Sequence, residues 1–305
     1  MDAIQEIIAF LIILVGVLLM VSRLKQQIVL GIFMVSHLLC GVGLILIPSL
    51  LSTTFVLKVN GDLSDSHIFV LRAVGICCLS LAVIIYLNYN SPDAYTRVSI
   101  FFGMLSIALL LLFTNILTLG SLEKSKESKG VTFEHKSLWV YKAIAFAAVN
   151  VCSILMAKDF CGHSQLYSRL NLHLKVDFLV SLVFGTLLIA YPTVLLGHLT
   201  NSKVSSSDEV LILMMQAIGA YSVGSGVISL LYASVLFTVN KRHIMMSKVL
   251  GTLGMILLIL FTNFYTKALG GCVQATLLMY ALMSFNALLG YYSPHETDGY
   301  VSKDK

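Results

Sequence analysis

Nine runs of apolar residues dominate the sequence, and each is about as long as the roughly 20-residue helix that crosses a bilayer. They lie near residues 4–22, 28–50, 67–87, 98–119, 137–157, 176–196, 210–237, 249–266 and 273–292. Hydrophobic residues make up 58% of the chain and charged residues 11%, so a water-soluble protein of this size could not bury the apolar surface and keep a charged exterior. The sequence therefore predicts an all-α, polytopic transmembrane bundle of nine spans.

Two stretches of the chain repeat the same order of motifs. Pro48 ends one apolar run, and Ala73 follows 25 residues later within Arg-Ala-Val-Gly; Pro192 and Ala217, within Gln-Ala-Ile-Gly, have the same separation. A Phe-Thr-Asn triplet also recurs near the ends of the fourth and eighth runs. A spacing that is shared across loops of different length indicates an internal duplication. Because each copy holds four runs, we expect two parallel four-helix repeats related by an axis along the membrane normal.

The duplication predicts five segments in the chain. They are an N-terminal anchor helix (1–27), a first four-helix repeat (28–157), an amphipathic cytosolic linker (158–175), a second four-helix repeat (176–293) and a tail (294–305). Acidic residues precede the first run, whereas Arg23 and Lys25 follow it, which is the charge order of an uncleaved anchor whose N-terminus lies outside.

The loop charges predict the same orientation. Eleven Lys and Arg lie on the side shared by the C-terminus and the loops after the first, third, fifth and seventh runs, against eight on the other side. Five of those eight belong to one region, 123–142, that also carries three Glu. Cytosolic loops carry the excess of Lys and Arg, so we expect a lumenal N-terminus and a cytosolic C-terminus.

A family resemblance rests on the first copy of the repeated stretch. The segment from Gly41 to Pro48, the pair Asn60-Gly61 and the segment from Arg72 to Ser80 resemble the central part of the tumour protein p53-inducible protein 11 family. The resemblance covers about residues 30–157, and the second copy departs from it with Gln216 in place of Arg72. It implies a tandem-duplicated relative of a four-span membrane protein, in the endoplasmic reticulum or another internal membrane, and it supplies no catalytic residues.

Arg72 is the most informative single residue, because it is a charged residue that lies about one and a half turns inside the third run. A charge within a span costs about 2.5–3.5 kcal/mol on insertion scales. We therefore expect an ion pair with Glu6 or Asp65, and the alternative is a side chain that extends to the lumenal interface. Three amides lie at a similar depth, so a polar layer is predicted in the lumenal leaflet. Its members are Arg72, Glu6, Gln216, Asn115 and Asn263.

Amides within spans have two interpretations. They can join helices through hydrogen bonds, or they can bind a solute or an ion. We favour helix association, since the runs as drawn contain no unpaired carboxylate deep in the membrane.

Small residues predict close approach of helices. The predicted packing positions are Ala73, Gly75, Ala217, Gly219, Gly224 and Gly226. Their partner is either another helix of this chain or a helix of another protein, and the sequence leaves both open.

The linker carries leucines every four residues among basic residues. This pattern predicts an amphipathic helix that lies on the anionic cytosolic leaflet, with a docking surface for a cytosolic partner as the alternative. The predicted surface comprises Leu166, Tyr167, Arg169, Leu170, Leu174 and Lys175.

Function is approached by exclusion. The chain has no hydrolase, phosphate-loop or metalloprotease motif, and its six cysteines lack metal-ligand spacing. We therefore expect no catalytic residue, no metal and no cofactor, and a charge of +5 that is spread over many loops predicts no nucleic-acid partner.

Two functional hypotheses follow. The first is a non-catalytic membrane subunit or adaptor that assembles with a larger membrane protein, in a complex that handles lipid. The second is a transporter or channel for lipid or a small apolar solute, with its site between the two repeats.

Overall fold

The computed structural model describes residues 3–50, 59–60, 62–122, 132–133, 136–156, 168–200, 208–266 and 268–293. Helices form nearly all of this part of the chain. They are α1 (Ala3–Val21), α2 (Gln26–Leu46), α3 (Pro48–Leu50), α4 (Asp65–Asn88), α5 (Ala94–Leu122), α6 (Lys136–Leu155), α7 (Arg169–Ala190), α8 (Pro192–Leu199), α9 (Glu209–Tyr232), α10 (Thr238–Tyr265) and α11 (Val273–Tyr291). Two short antiparallel strands, β1 (Val59–Asn60) and β2 (Thr132–Phe133), pair between the loops.

Seven of the described helices are long and apolar enough to cross a membrane, namely α2, α4, α5, α7, α9, α10 and α11. Two shorter apolar stretches, Ile7–Val21 and Val140–Leu155, belong to α1 and α6. Many large apolar side chains are exposed on the outside of these helices, as expected where the solvent is lipid. The prediction of an all-helical membrane bundle is confirmed.

Local sequence signals explain where the long helices begin. The Asp208 carboxylate accepts the Leu211 N–H at 3.2 Å and caps α9, while the Ser168 hydroxyl accepts the Asn171 N–H at 3.0 Å and caps α7. Such caps satisfy N–H groups that have no partner within the helix. Pro192 occupies the first position of α8, where its missing N–H costs nothing.

Helices α4 and α9 form the centre of the bundle. Helix α4 packs against α2, α9 and α10, and helix α9 packs against α4, α5 and α7. Helix α6 packs on α5, and α11 packs on α10 and α7. We call the end of the bundle that holds residues 62–64 and 191–200 face A, and the opposite end, with residues 22–25, 89–93 and 233–237, face B.

The α2–α4 and α7–α9 contacts are closely alike. A side chain on Gly41 would lie 2.8 Å from the Gly75 carbonyl oxygen, and one on Gly185 would lie 2.6 Å from that of Gly219. Each residue of the second pair stands 144 positions after its counterpart (41 to 185, 75 to 219). At the same offset, Ile47 and Tyr191 end α2 and α7 with nearly equal backbone angles, φ −133° and ψ 54° against φ −127° and ψ 47°.

Several boundaries differ from the prediction, and three of them bear on the site. Helix α10 begins at Thr238 rather than at 249, because its first turns bury polar side chains against other helices and so lower the local hydropathy. Helix α9 ends at Tyr232 rather than at 237.

The third difference concerns the predicted linker, which runs into the first two turns of α7. Leu170 and Leu174 are buried against the bundle there, while Arg169 and Lys175 are exposed. The prediction that these two leucines form a lipid or partner surface is therefore wrong. Leu166 and Tyr167 lie outside the described residues.

Candidate functional site

A buried ion pair joins two of the long helices. Lys248 Nζ of α10 lies 2.7 Å from Asp177 Oδ2 of α7, with the side chains 8% and 3% exposed. The Ser229 hydroxyl donates to the same carboxylate oxygen at 2.6 Å, and Lys248 Nζ donates to Ser225 Oγ at 3.1 Å. Three helices, α7, α9 and α10, thus meet at one charged cluster.

The pair lies well inside the spans. Asp177 is eight residues from the start of α7, or about 12 Å along its axis, and Lys248 is ten residues, or about 15 Å, from the start of α10. Ionisable residues at such depth are rare, usually paired, and often mark a pathway for a solute or an ion.

Lys248 also lies on the wall of a cavity of about 80 Å³. The cavity is bounded by side chains of α4, α5, α7, α9, α10 and α11, so it lies where the first and second halves of the chain meet. Its wall is mostly apolar, with hydroxyls on several sides. The hydroxyl-bearing residues are Ser80, Ser181, Ser222, Ser225, Thr252, Tyr221 and Tyr280.

The hydroxyl groups of the cavity wall differ in their hydrogen bonds. Ser222 donates to the Ser181 carbonyl at 3.2 Å, and Thr252 donates to the Lys248 carbonyl at 2.8 Å. By contrast, the buried Ser181 hydroxyl has no hydrogen-bond partner among the described residues. One water molecule needs roughly 10–15 Å³ on this measure, so the cavity has room for a small solute that carries a hydrogen-bonding group.

Arg72 and Gln216 have matching roles near face A. Arg72 Nε donates to the Ile45 carbonyl at 3.2 Å, and Gln216 Nε2 donates to the Ile189 carbonyl at 3.3 Å. These carbonyls belong to the last turns of α2 and α7, where no N–H of the same helix is available. Each side chain therefore satisfies the end of the neighbouring helix in its own half of the chain.

The structure tests one of the two ion pairs predicted for Arg72. Asp65 is exposed and forms no ion pair with Arg72 in the described part of the chain. The Glu6 side chain lies outside the described residues, so that pairing stays a prediction. The Arg72 guanidinium also faces the Phe261 ring, with 5.9 Å from its carbon to the ring centroid.

The remaining members of the predicted polar layer are amides of α5 and α10. Asn115 is buried and Asn263 is half-buried, each near the end of its helix at face A. A second pair of amides lies deeper. Asn286 of α11 binds His173 of α7 through both amide atoms, at 2.9 and 3.2 Å, whereas Asn150 donates to a carbonyl of its own helix.

The predicted small residues all pack within this chain. Gly75 and Gly219 face glycines of α2 and α7, Gly224 faces Gly103 and Ile107 of α5, and Gly226 faces Ser181 of α7. Ala73 and Ala217 are likewise buried in the core. Of the two alternatives left open by the sequence, contacts between helices of the same chain account for these residues.

Asp177 and Lys248 were missed in the sequence because both fall beside the edges of apolar runs. A signal did exist. Lys248 lies between two apolar stretches, 244–246 and 249–250, and no proline or glycine separates it from the start of α10 at Thr238. No group of three or more potential metal ligands occurs among the described residues, and the five described cysteines are free thiols.

Comparison with known proteins gives one finding. The model of a family described as a domain of unknown function, DUF8292, matches residues 31–292, which include nearly all of α2 and every later helix. Searches of curated proteins and of solved structures gave no significant match. Because the match covers most of the sequence, the chain belongs to the DUF8292 family.

Proposed function

We propose that this protein is a non-enzymatic membrane carrier that binds a small, largely apolar solute in the cavity between its two halves. The cavity carries the proposal, because six helices from both halves line it and the lysine of the buried ion pair lies on its wall. Binding sites at the interface of two repeats are typical of carriers. The hydroxyls would bind the polar end of the solute, and the apolar wall would contact its body.

A tandem duplication is part of the proposal. The glycine contacts of α2–α4 and α7–α9 and the carbonyl contacts of Arg72 and Gln216 recur at one offset, which supports two parallel repeats. We further propose that each repeat corresponds to the four-span unit of the p53-inducible protein 11 family. Between α5 and α10 the offset is 148, as in the Phe-Thr-Asn triplets.

The same offsets identify the residues of the first half that match the ion-pair cluster. Asp177, Ser229 and Lys248 correspond in number to Phe33, Ile85 and Ile100 of the first half. Ile85 and Ile100 are fully buried in an apolar cluster against which Phe33 packs. Since these three apolar residues occupy the matching places, a charged cluster is not required to hold three such helices together, and a role in binding the solute explains its presence.

The competing hypothesis is a non-catalytic subunit of a larger complex. Among the sequence features that favour it are the small-residue faces and the basic linker. The small residues have partners within the chain, and two linker leucines are buried. Both features therefore have a role in the fold that requires no other protein.

The topology proposed here has nine spans, with α1 and α6 added to the seven longer helices. The N-terminus is proposed to be lumenal and the C-terminus cytosolic, in the endoplasmic reticulum or another internal membrane. The excess of Lys and Arg at face B supports this orientation. Protease protection of a C-terminal tag inside sealed microsomes would contradict it.

The carrier proposal is tested by filling the cavity. Ser181→Leu places a larger apolar side chain on the cavity wall, and Thr186→Leu makes a similar change on the lipid-exposed side of the same helix. The wild type and Thr186→Leu should release a bound small molecule, at about one per chain, when the purified protein is denatured for mass spectrometry. Ser181→Leu should release much less.

Two results would contradict the proposal. One is a wild-type protein that carries no small molecule but has a stoichiometric protein partner, which would favour the subunit hypothesis. The other is a bound molecule that Ser181→Leu retains in full.

A further inference from the structure

A second concave site lies on the outside of the bundle, between α4 and α10. It is a groove of about 570 Å³ whose wall is apolar apart from one cation and one hydroxyl. The lining residues are Ile45, Arg72, Ile76, Leu79, Ser80, Val83, Leu250, Gly251, Gly254, Leu257, Leu258 and Phe261. Gly251 and Gly254 line the groove where α10 passes close to α4, since a side chain on Gly251 would lie 2.7 Å from Ser80 and one on Gly254 would lie 3.2 Å from Ile76.

The groove has a polar end and an apolar length. Arg72 lies toward face A, and the wall continues along α4 to Val83, eleven residues or about 16 Å further on. Half of the roughly 30 Å hydrocarbon core of a bilayer is about 15 Å. The groove therefore extends through about one leaflet, which is the length of one lipid acyl chain.

The charge of Arg72 is not neutralised by a described carboxylate. Among the described residues, Asp208 pairs with His67 and Asp177 pairs with Lys248. Arg72 uses Nε for the Ile45 carbonyl, which leaves the two terminal nitrogens of the guanidinium. Those nitrogens form the planar donor pair that binds phosphate in a bidentate manner.

We propose that this groove binds an anionic phospholipid of the leaflet at face A, with its phosphate on Arg72 and one acyl chain along α4 and α10. The occupant is a lipid because the groove is apolar along its length and opens on the lipid-facing side of the bundle, where Leu257 and Phe261 are exposed. It is anionic because the one charged group of the groove is a cation.

The matching surface of the other half, between α5 and α9, has neither the cation nor the groove. Gln216 stands where Arg72 would be and makes the same kind of carbonyl contact without a charge. Helices α5 and α9 also approach too closely to leave a groove, since a side chain on Gly103 would lie 2.2 Å from Ile228 and one on Gly224 would lie 2.3 Å from Ile107. We therefore expect one such site per chain.

The test uses the full chain in detergent, titrated with phosphatidylglycerol or with phosphatidylcholine of the same chain length. Native mass spectrometry counts the bound lipids. We expect one phosphatidylglycerol to bind at least about tenfold more tightly than phosphatidylcholine, because both headgroups carry the phosphate but the choline ammonium adds a positive charge that Arg72 repels. Arg72→Gln, which copies the second half, should remove this preference. Arg23→Gln, which removes an exposed charge at face B, should keep it.

A second pair of variants tests the acyl chain and does not touch Arg72. Leu257→Trp fills the groove from its lipid-exposed side and should weaken both lipids, whereas Leu109→Trp, at the matching exposed position of α5, should weaken neither. Equal binding of the two lipids by the wild type would overturn the proposal, as would an undiminished preference in a monodisperse Arg72→Gln protein. If Arg72→Gln fails to fold, unchanged lipid binding in Leu257→Trp overturns it instead.

This site and the solute cavity share the wall residues Ile76, Ser80 and Gly251, but they can be perturbed separately. Ser181→Leu fills the cavity and changes no residue that lines the groove, so lipid binding at Arg72 and solute binding in the cavity can fail separately.

Discussion

Removing one charge of the Asp177–Lys248 pair should destabilise the protein far more than removing both. At the 2.7 Å separation of Nζ and Oδ2, two unit charges attract by about 6 kcal/mol at an effective dielectric constant of about 20. Each partner offsets the large desolvation cost of the other, since the side chains are only 8% and 3% exposed. Asp177→Asn leaves the Lys248 ammonium buried without its counter-charge. Lys248→Met leaves the Asp177 carboxylate buried without its counter-charge.

The expected loss for either single variant is about 3–5 kcal/mol, the usual cost of breaking a buried pair. At roughly 2–4 °C per kcal/mol, the unfolding temperature should fall by about 6–20 °C. The double variant Asp177→Asn/Lys248→Met removes both desolvation costs, so it should lie within a few degrees of the wild type. The first half supports this expectation, because buried isoleucines occupy the places that match Ser229 and Lys248.

The assay is the fraction of purified protein that remains monodisperse on size exclusion after heating in detergent. Lys25→Met with Asp62→Asn, both at exposed positions, forms a control cycle that should show no coupling. A double variant that loses as much as the sum of the two single losses would refute the reasoning, because the two charges would then act independently.

Three further predictions use the same unfolding assay. Gly185→Ala forces a methyl group to within 2.6 Å of a backbone oxygen of α9 and should lower the stability by about 1–3 kcal/mol. Gly31→Ala, which has open space around it, should stabilise α2 by about 0.5–1 kcal/mol. Equal effects of the two variants would contradict the close contact at Gly185. Asn286→Ala breaks two hydrogen bonds between α11 and α7, each worth up to roughly 1.7 kcal/mol, and should lower the stability by about 1–3 kcal/mol. Asn150→Ala breaks a hydrogen bond within its own helix and should lower the stability less. Asp208→Ala removes both the cap of α9 and the bond to the histidine of α4 and should cost at least about 0.5–2 kcal/mol, whereas Asp208→Asn keeps a capping oxygen and should lose less than Asp208→Ala.

The bundle could be predicted from the sequence because lipid imposes the strongest constraint on a chain. Each long apolar run must satisfy its backbone internally and therefore becomes a helix. The motif Ala-x-Gly was also informative. Gly75 and Gly219 are where two helices approach through their backbones, and small residues are the requirement for such an approach in a membrane.

The ion pair could not be predicted because hydropathy averages over both faces of a helix. The first turns of α10 bury Asn240, Ser247 and Lys248 toward other helices, so the average falls although the helix continues. The offset of 148 between the Phe-Thr-Asn triplets would have helped. It relates the fourth run to residues 246–267, which places Lys248 within the helix.

Other features depend on packing that the sequence does not encode locally. The cavity exists because six helices leave a gap where they meet, and no residue type marks such a gap. The outer groove likewise depends on which glycines face a side chain and which face another glycine. Gly251 faces the side chain of Ser80, whereas Gly103 and Gly224 face each other, so that α5 and α9 approach through their backbones.

The differences between the two halves carry more information about function than their similarities. Gln216 makes the same carbonyl contact as Arg72, so the hydrogen bond explains a polar side chain at this position but not a positive charge. Phe33 stands where Asp177 stands in the second half, so the packing of these helices does not require a carboxylate. A charge within a span costs free energy that a neutral residue would avoid. Each charge therefore needs a reason other than the shared fold, and the solute proposed at Lys248 and the phosphate proposed at Arg72 would supply one for each half.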